Sequence, residues 1–96
     1  MEILLTYDVH TLTPHGQRRL RRMAALCEGY GIRVQKSVFE IVCTDAQLVT
    51  LLHQAQTIAD PDEDSIRVYR MPAGTFTKAF MIGTANAVPH RDSLIL

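Results

Sequence analysis

Ninety-six residues with a mass of 10.8 kDa are enough for one small domain and no second one. A hydrophobic share of 47% and a charged share of 21% exclude a disordered or low-complexity chain, and no run reaches the roughly 18 apolar residues of a membrane-spanning helix. Ten bases balance ten acids, but unevenly: between Thr13 and Lys36 lie Arg18, Arg19, Arg21, Arg22, Arg33 and Lys36 against Glu28 alone, so a neutral sum hides a basic face.

The first element predicted is a strand over Glu2–Val9, with Ile3, Leu5, Tyr7 and Val9 on the core face and Leu4, Thr6 and Asp8 on the other. Thr13-Pro14 then reads as a helix start, with threonine at the N-cap and proline in the first turn, and Gly29-Tyr30-Gly31 as its end. At 3.6 residues per turn, Leu20, Met23, Ala24, Cys27 and Tyr30 share one arc and Arg18, Arg21 and Arg22 the opposite one. Arg19 falls inside the apolar arc, so it must snorkel or find a partner.

Alternating β-branched residues predict a short strand at Ile32–Val34 and a longer one at Lys36–Cys43. Asp45 is the expected cap of a second helix carrying Leu48, Leu51, Leu52, Ala55 and Ile58. The loop Asp60-Pro61-Asp62-Glu63-Asp64 ends that helix, and Ser65–Met71 is the next strand. After a turn at Pro72-Ala73-Gly74, a last strand is expected over Phe76–Ile82, followed by a tail, residues 83–96, that ends in Ser93-Leu94-Ile95-Leu96. The order β-α-β-β-α-β plus one strand is that of an α+β ferredoxin-like sandwich, with two helices on one face of an antiparallel sheet. A half-apolar open face on so small a domain is a candidate dimer surface. Two cysteines and an opening Met1–Leu5 without a basic leader predict a reducing, cytoplasmic setting with no signal peptide.

The motifs Leu5-Thr6-Tyr7-Asp8-Val9, Arg18-Arg19-Leu20, the run from Gly31 to Glu40, and Asp62-Glu63-Asp64-Ser65-Ile66-Arg67-Val68-Tyr69 stand here in a telling order. In that order and at those spacings the chain resembles the CRISPR-associated protein two family, the small adaptation subunit of CRISPR systems. The resemblance covers about residues 1–71 and is most specific from Gly31 to Glu40; residues 74–92 match weakly. Leu94-Ile95-Leu96 looks like the tail of members found beside some type I systems, and Ile41 stands where many relatives place cysteine. The resemblance implies a ferredoxin-like homodimer with the last strand exchanged onto the partner's sheet. It also implies that dimers of the integrase, CRISPR-associated protein one, clamp this pair to capture foreign DNA and insert it as new spacers. Some members are metal-dependent nucleases on RNA or double-stranded DNA.

Asp8 is the first site candidate. A carboxylate at a strand end is the hard oxygen ligand that Mg²⁺ or a similar divalent cation takes, and a twofold axis would bring two copies together. From spacing alone, an acid that caps the following loop is the commoner role for Asp8; the resemblance instead aligns it with the family's metal-binding, catalytic aspartate. The arginine face, Arg18, Arg21 and Arg22, is expected to grip phosphates, with Arg33 and Lys36 extending it; the bland alternative is a solvated helix face. Arg19 points toward the sheet edge, where it would support Asp8 or hold phosphate, unless it merely packs on Tyr30 or Leu26. Tyr7, Ser37 and Glu40 are candidate supporting residues; ordinary pairing is the default for Glu40, Arg67 and Arg70. The four histidines have no metal-site spacing, and Cys27 reads as core.

Two functions compete: a dimeric, double-stranded-DNA-binding hub of the integrase complex, and a stand-alone Mg²⁺-dependent endonuclease cutting RNA or DNA with Asp8. A small ferredoxin-like regulatory module is a third, with no sign of an apolar pocket to support it.

Overall fold

Alternation along β1 (Glu2–Asp8) decides which face is buried: Ile3, Leu5 and Tyr7 point into the core, while Leu4, Thr6 and Asp8 point away from it. The structure is a computed structural model, and it describes residues 1–83. α1 (Pro14–Glu28), β2 (Gly31–Gln35), β3 (Val38–Val42), α2 (Asp45–Ile58) and β4 (Ser65–Met71) follow in turn. The strands form one antiparallel sheet in the order β2-β3-β1-β4, which is the ferredoxin-like arrangement expected from the sequence. Lys36 and Ser37 form the turn between β2 and β3, dividing the expected longer strand from its neighbour.

Ile3, Leu5 and Tyr7 of β1 meet Phe39 and Ile41 of β3, Met23 and Cys27 of α1, and Leu48, Leu51 and Ala55 of α2 in one core. Burial pushes the Cys27 thiol up to about 11, so it is a protonated core side chain. Among the described residues no element covers the opposite sheet face, which mixes Leu4, Thr6, Asp8, Val38, Val42, Arg67 and Tyr69, with Val42 54% and Tyr69 45% exposed. Among the described residues no helix is long and apolar enough to cross a membrane.

Both helix starts are built by threonine. Thr13 Oγ1 accepts from the Gly16 N–H at 3.1 Å. Thr44, not Asp45, caps α2: its hydroxyl accepts from the Gln47 N–H at 3.1 Å while Gln47 Oε1 accepts from the Thr44 N–H at 2.9 Å, and Asp45 is the first helical residue. The reciprocal Thr-x-x-Gln pair satisfies two helix-end donors, which a lone aspartate cap would not.

Gly16 sets the approach of α1 to the end of β1. A Cβ there would collide with the carbonyl oxygen of His10. Alanine normally gains about 1 kcal/mol over glycine inside a helix, but here the loop at His10–Thr11 would have to shift. Gly16→Ala is therefore expected to lower the melting temperature measured by circular dichroism; an unchanged or higher value would contradict this packing.

The strand expected over Phe76–Ile82 is not part of this sheet. Phe76–Lys78 is one turn of 3-10 helix, and residues 79–82 lie outside the four strands. Local bonds compete with pairing here. Thr75 Oγ1 donates to Pro72 O at 2.6 Å, Thr77 Oγ1 donates to Gly74 O at 2.8 Å, and the Glu2 carboxylate accepts from the Gly74 and Phe76 N–H groups. Phe76 is buried, whereas Phe80 and Ile82 are exposed. The apolar end Leu94-Ile95-Leu96 and His90 lie outside the described residues.

Candidate nucleic-acid interface

Asp8 ends β1 on the open face, exposed, opposite Ser65 of β4. With Thr6, Ser65, Arg67 and Tyr69 it lines a hollow of about 320 Å³. Its strand end is held from behind by Tyr7, whose ring packs on Phe39 at 6.0 Å between centroids. The Tyr7 N–H donates to Ser37 O at 3.1 Å and its hydroxyl to Lys36 O at 3.4 Å, so the β2–β3 turn is strapped to the strand that presents Asp8. Burial pushes the Tyr7 phenol up, outweighing the nearby Arg33 guanidinium. Tyr7 thus positions the strand that carries Asp8 through packing and hydrogen bonds, and Ser37 contributes its backbone carbonyl.

Glu40 is placed differently. It sits across from Leu4 on β1, four residues along the strand from Asp8, which is roughly 13 Å at strand rise. The two acids do not share a site within one chain. Among the described residues no group of three or more His, Cys, Asp or Glu can hold a metal ion. The oxygen donors at Asp8 suit a hard cation in kind, since Mg²⁺ is commonly held by one or two carboxylates plus water and phosphate, but one chain supplies a single carboxylate.

The arginines separate into distinct roles. Arg18, Arg21 and Arg22 are exposed on α1, as their spacing predicts. Arg18 and Arg22, one turn apart, line a second hollow of about 500 Å³ with His10, Thr13 and His15, faced by Asp60 and Glu63. Arg33 is exposed on β2, pairs with Glu28 at 3.5 Å, and lies 5.4 Å over the Phe39 ring. Lys36 is exposed at the turn tip.

Arg19 pairs with an acid of the loop before β4. Its guanidinium donates from Nε to Asp64 Oδ2 at 2.7 Å and from a terminal nitrogen to Oδ1 at 3.3 Å. Asp64 also accepts from the His10 N–H at 3.0 Å and the Asp60 N–H at 2.9 Å, and its side chain is wholly buried. Burial alone would raise this carboxyl; the Arg19 guanidinium and the two backbone donors outweigh it and hold its pKa below the usual carboxylate value. The acidic loop is therefore not simply a solvated helix terminator. One of its acids ties α1, the segment after β1 and the loop itself into one clamp, which holds the chain at His10, two residues past Asp8. The sequence carried half of this signal, because an arginine inside an apolar arc demands an acid, but Asp64 lies 45 residues away.

Arg67 is the site residue that sequence reasoning passed over. It pairs in register with Thr6 and enters the Asp8 hollow, whereas Arg70 pairs with Ile3 on the helix-covered face. The period-two alternation of β4 holds that separation, but only the register with β1 shows that Arg67 and Asp8 are neighbours.

Comparison with known proteins agrees with this geometry. The family model described as CRISPR associated protein Cas2 matches residues 1–79. A CRISPR-associated endonuclease Cas2 of Halalkalibacterium halodurans is 40% identical over 95 residues, covering 99% of each chain. A CRISPR-associated endoribonuclease Cas2 of Rhodospirillum rubrum is 44% identical over 94 residues, covering 98% of this chain and 99% of the relative. The crystal structure of Streptococcus pyogenes Cas2 at pH 6.5 superposes with a TM-score of 0.78 at 44% identity, over 86% of this chain and all of that one. With the family model matched over residues 1–79 and relatives 40–44% identical over nearly the whole chain, the chain belongs to the CRISPR-associated Cas2 family.

Proposed function

We propose that the chain works as a twofold homodimer that grips nucleic acid by its backbone and serves as the central hub of a CRISPR adaptation complex with the CRISPR-associated protein one integrase. The observation that carries this reading is the two-sidedness of the domain. One sheet face is covered by none of the described elements, is half apolar and is tipped by Asp8, while α1 presents Arg18, Arg21 and Arg22 with no acid among its residues before Glu28. Packing open face on open face places both copies' Asp8 carboxylates on one interface and leaves the arginine helices outside it. Guanidinium groups on a helix face bind phosphates without reading bases, so the grip is independent of sequence, and double-stranded DNA is the ligand of this reading.

Two Asp8 carboxylates brought together repel unless a cation sits between them, and Mg²⁺ is the cation their oxygens suit. When bound it would polarise a phosphodiester and activate water. The relatives' names, endonuclease and endoribonuclease, favour a second activity at this position: metal-dependent cleavage of RNA or DNA with Asp8 as the essential ligand.

The backbone-grip reading is tested by replacing Arg18, Arg21 and Arg22 together with alanine and measuring duplex binding against salt. Each lost phosphate contact lowers the log–log salt slope by about 0.9, so a dimer that uses all three arginines per chain is expected to lose several units and to bind only at low salt. An unchanged slope would remove α1 from the interface.

A further inference from the structure

The hollow between α1 and the loop before β4 holds charges of both signs that do not meet. Arg18 and Arg22 line it from α1, and Asp60 and Glu63 line it from the loop. Among the described residues no ion pair or hydrogen bond engages either guanidinium. The half-exposed Glu63 carboxylate comes within 3.9 Å of His10 Nδ1, which is beyond hydrogen-bond length, so among the described residues both its oxygens keep their acceptor capacity. The walls are held in place by Asp64, which accepts from the His10 N–H, the Asp60 N–H and the Arg19 guanidinium. The hollow is therefore preformed, and at about 500 Å³ it falls within the roughly 300–1,000 Å³ of small-ligand pockets. Ile58 adds an apolar lining, and His10 and His15 add flat imidazole rings. No strand contributes to the lining, so the hollow stays clear of the open sheet face.

We propose that this hollow binds one unpaired guanine nucleotide of a nucleic-acid strand, with its phosphate on Arg18 and Arg22 and the donor edge of its base on Glu63. The proposal rests on the reading of α1 as a phosphate-gripping helix and adds a group that reads a base. The ligand that bridges these walls is anionic at one end, rich in hydrogen-bond donors at the other, and flat between. Phosphate suits the two guanidinium groups, which stand one turn apart on the same helix face. A carboxylate only accepts, so it selects a base edge that donates. Guanine turns two adjacent donors, N1–H and the N2 amine, to one side and can bond both oxygens of one carboxylate. Adenine and cytosine set a ring acceptor beside their amino group, and thymine and uracil set carbonyls on both sides of their N–H. Asp60 already accepts from the Asp62 N–H at 2.9 Å, which leaves Glu63 as the acid with both oxygens to offer. In a duplex the Watson–Crick edge is occupied, so only an unpaired base reaches Glu63, stacking on imidazole as unpaired bases do. The grip on duplex stays independent of sequence, and the preference arises where a strand becomes single.

The test titrates the intact chain and its Glu63→Gln and Asp62→Asn variants with labelled DNA duplexes. One duplex is blunt. The others carry a short 3′ or 5′ tail that is all thymine or holds one guanine, inosine or adenine at each position in turn. Guanine at one tail position is expected to tighten binding roughly tenfold over thymine or adenine there, and inosine, which lacks the N2 amine, to recover only part of the gain. Glu63→Gln replaces one acceptor oxygen by a donor and is expected to abolish the guanine preference. Its loss of a negative charge acts on every probe alike and leaves the ratios between tails to report the base contact. Asp62→Asn removes the same charge from the same loop at a residue that does not line the hollow, and is expected to keep the preference. A parent chain that binds all tails equally overturns the site. So does a preference that survives Glu63→Gln, one that Asp62→Asn removes equally, or one that inosine reproduces in full. If the parent chain binds no duplex, blunt or tailed, the nucleic-acid reading itself fails; if it binds them without regard to the unpaired base, that reading stands and the guanine site alone is lost.

Discussion

Asp64→Ala is expected to cost about 3 kcal/mol and to lower the melting temperature by roughly 10–20 °C, the largest loss for any single polar residue described. The Asp64 side chain is wholly buried and accepts four hydrogen bonds from three separate segments. Alanine leaves the His10 and Asp60 N–H groups without that acceptor and removes the Arg19 guanidinium's ion-pair partner. Asp64→Asn, which keeps one carbonyl acceptor and loses the charge, is expected to fall between. The same clamp gives stability a defined pH dependence. The folded carboxyl titrates below its unfolded value, so its contribution is complete above the ordinary carboxylate pKa and disappears as pH falls through the depressed folded one. The stability gap between the parent and Asp64→Ala, followed by urea titration, should therefore be constant near neutrality and close under acid. A gap that widened on acidification would contradict the assignment of charge.

The second large effect is expected at Asp8. Asp8→Asn should reduce divalent-metal-dependent cleavage at least about 100-fold, because a bound metal supplies several kcal/mol to a phosphodiester transition state and 1.4 kcal/mol is a factor of ten. Stability should scarcely change, since Asp8 is exposed and its carboxylate makes no bond among the described residues that asparagine would break. Spacer insertion by the same variant then separates the two activities. A hub that acts by gripping DNA keeps integrating with Asp8→Asn; a nuclease whose cutting feeds integration does not. Cleavage that persists in the variant would place the reaction away from Asp8.

Much of this molecule was legible in the sequence because its local signals agree. Thr13-Pro14 and the apolar arc from Leu20 to Tyr30 predict α1 within a residue or two, and the alternation of Ile3, Leu5 and Tyr7 predicts the buried face of β1. What was not legible depended on contacts between distant segments. Nothing near Arg19 in the chain announces Asp64, and nothing in β4 announces that Arg67 rather than Arg70 shares a hollow with Asp8 until strand register is known. Residues 76–82 show a different failure. Their apolar, β-branched composition reads as a strand, yet threonine hydroxyls and the Glu2 carboxylate, 74 residues from Phe76, take the backbone groups first. Likewise the α2 cap was misplaced by one residue, because Thr44 forms a reciprocal pair with Gln47 that Asp45 cannot.

The central claim is that two copies meet open face to open face, with their Asp8 strand ends together. Pulsed electron resonance on a nitroxide attached at Ser65→Cys addresses it directly, since Ser65 stands opposite Asp8 at that strand end and the native Cys27 and Cys43 are buried from the label. One narrow, short inter-label distance in a species that sediments as a dimer is the predicted result. A labelled chain that sediments as a monomer, or a dimer whose labels lie too far apart to couple, would contradict it.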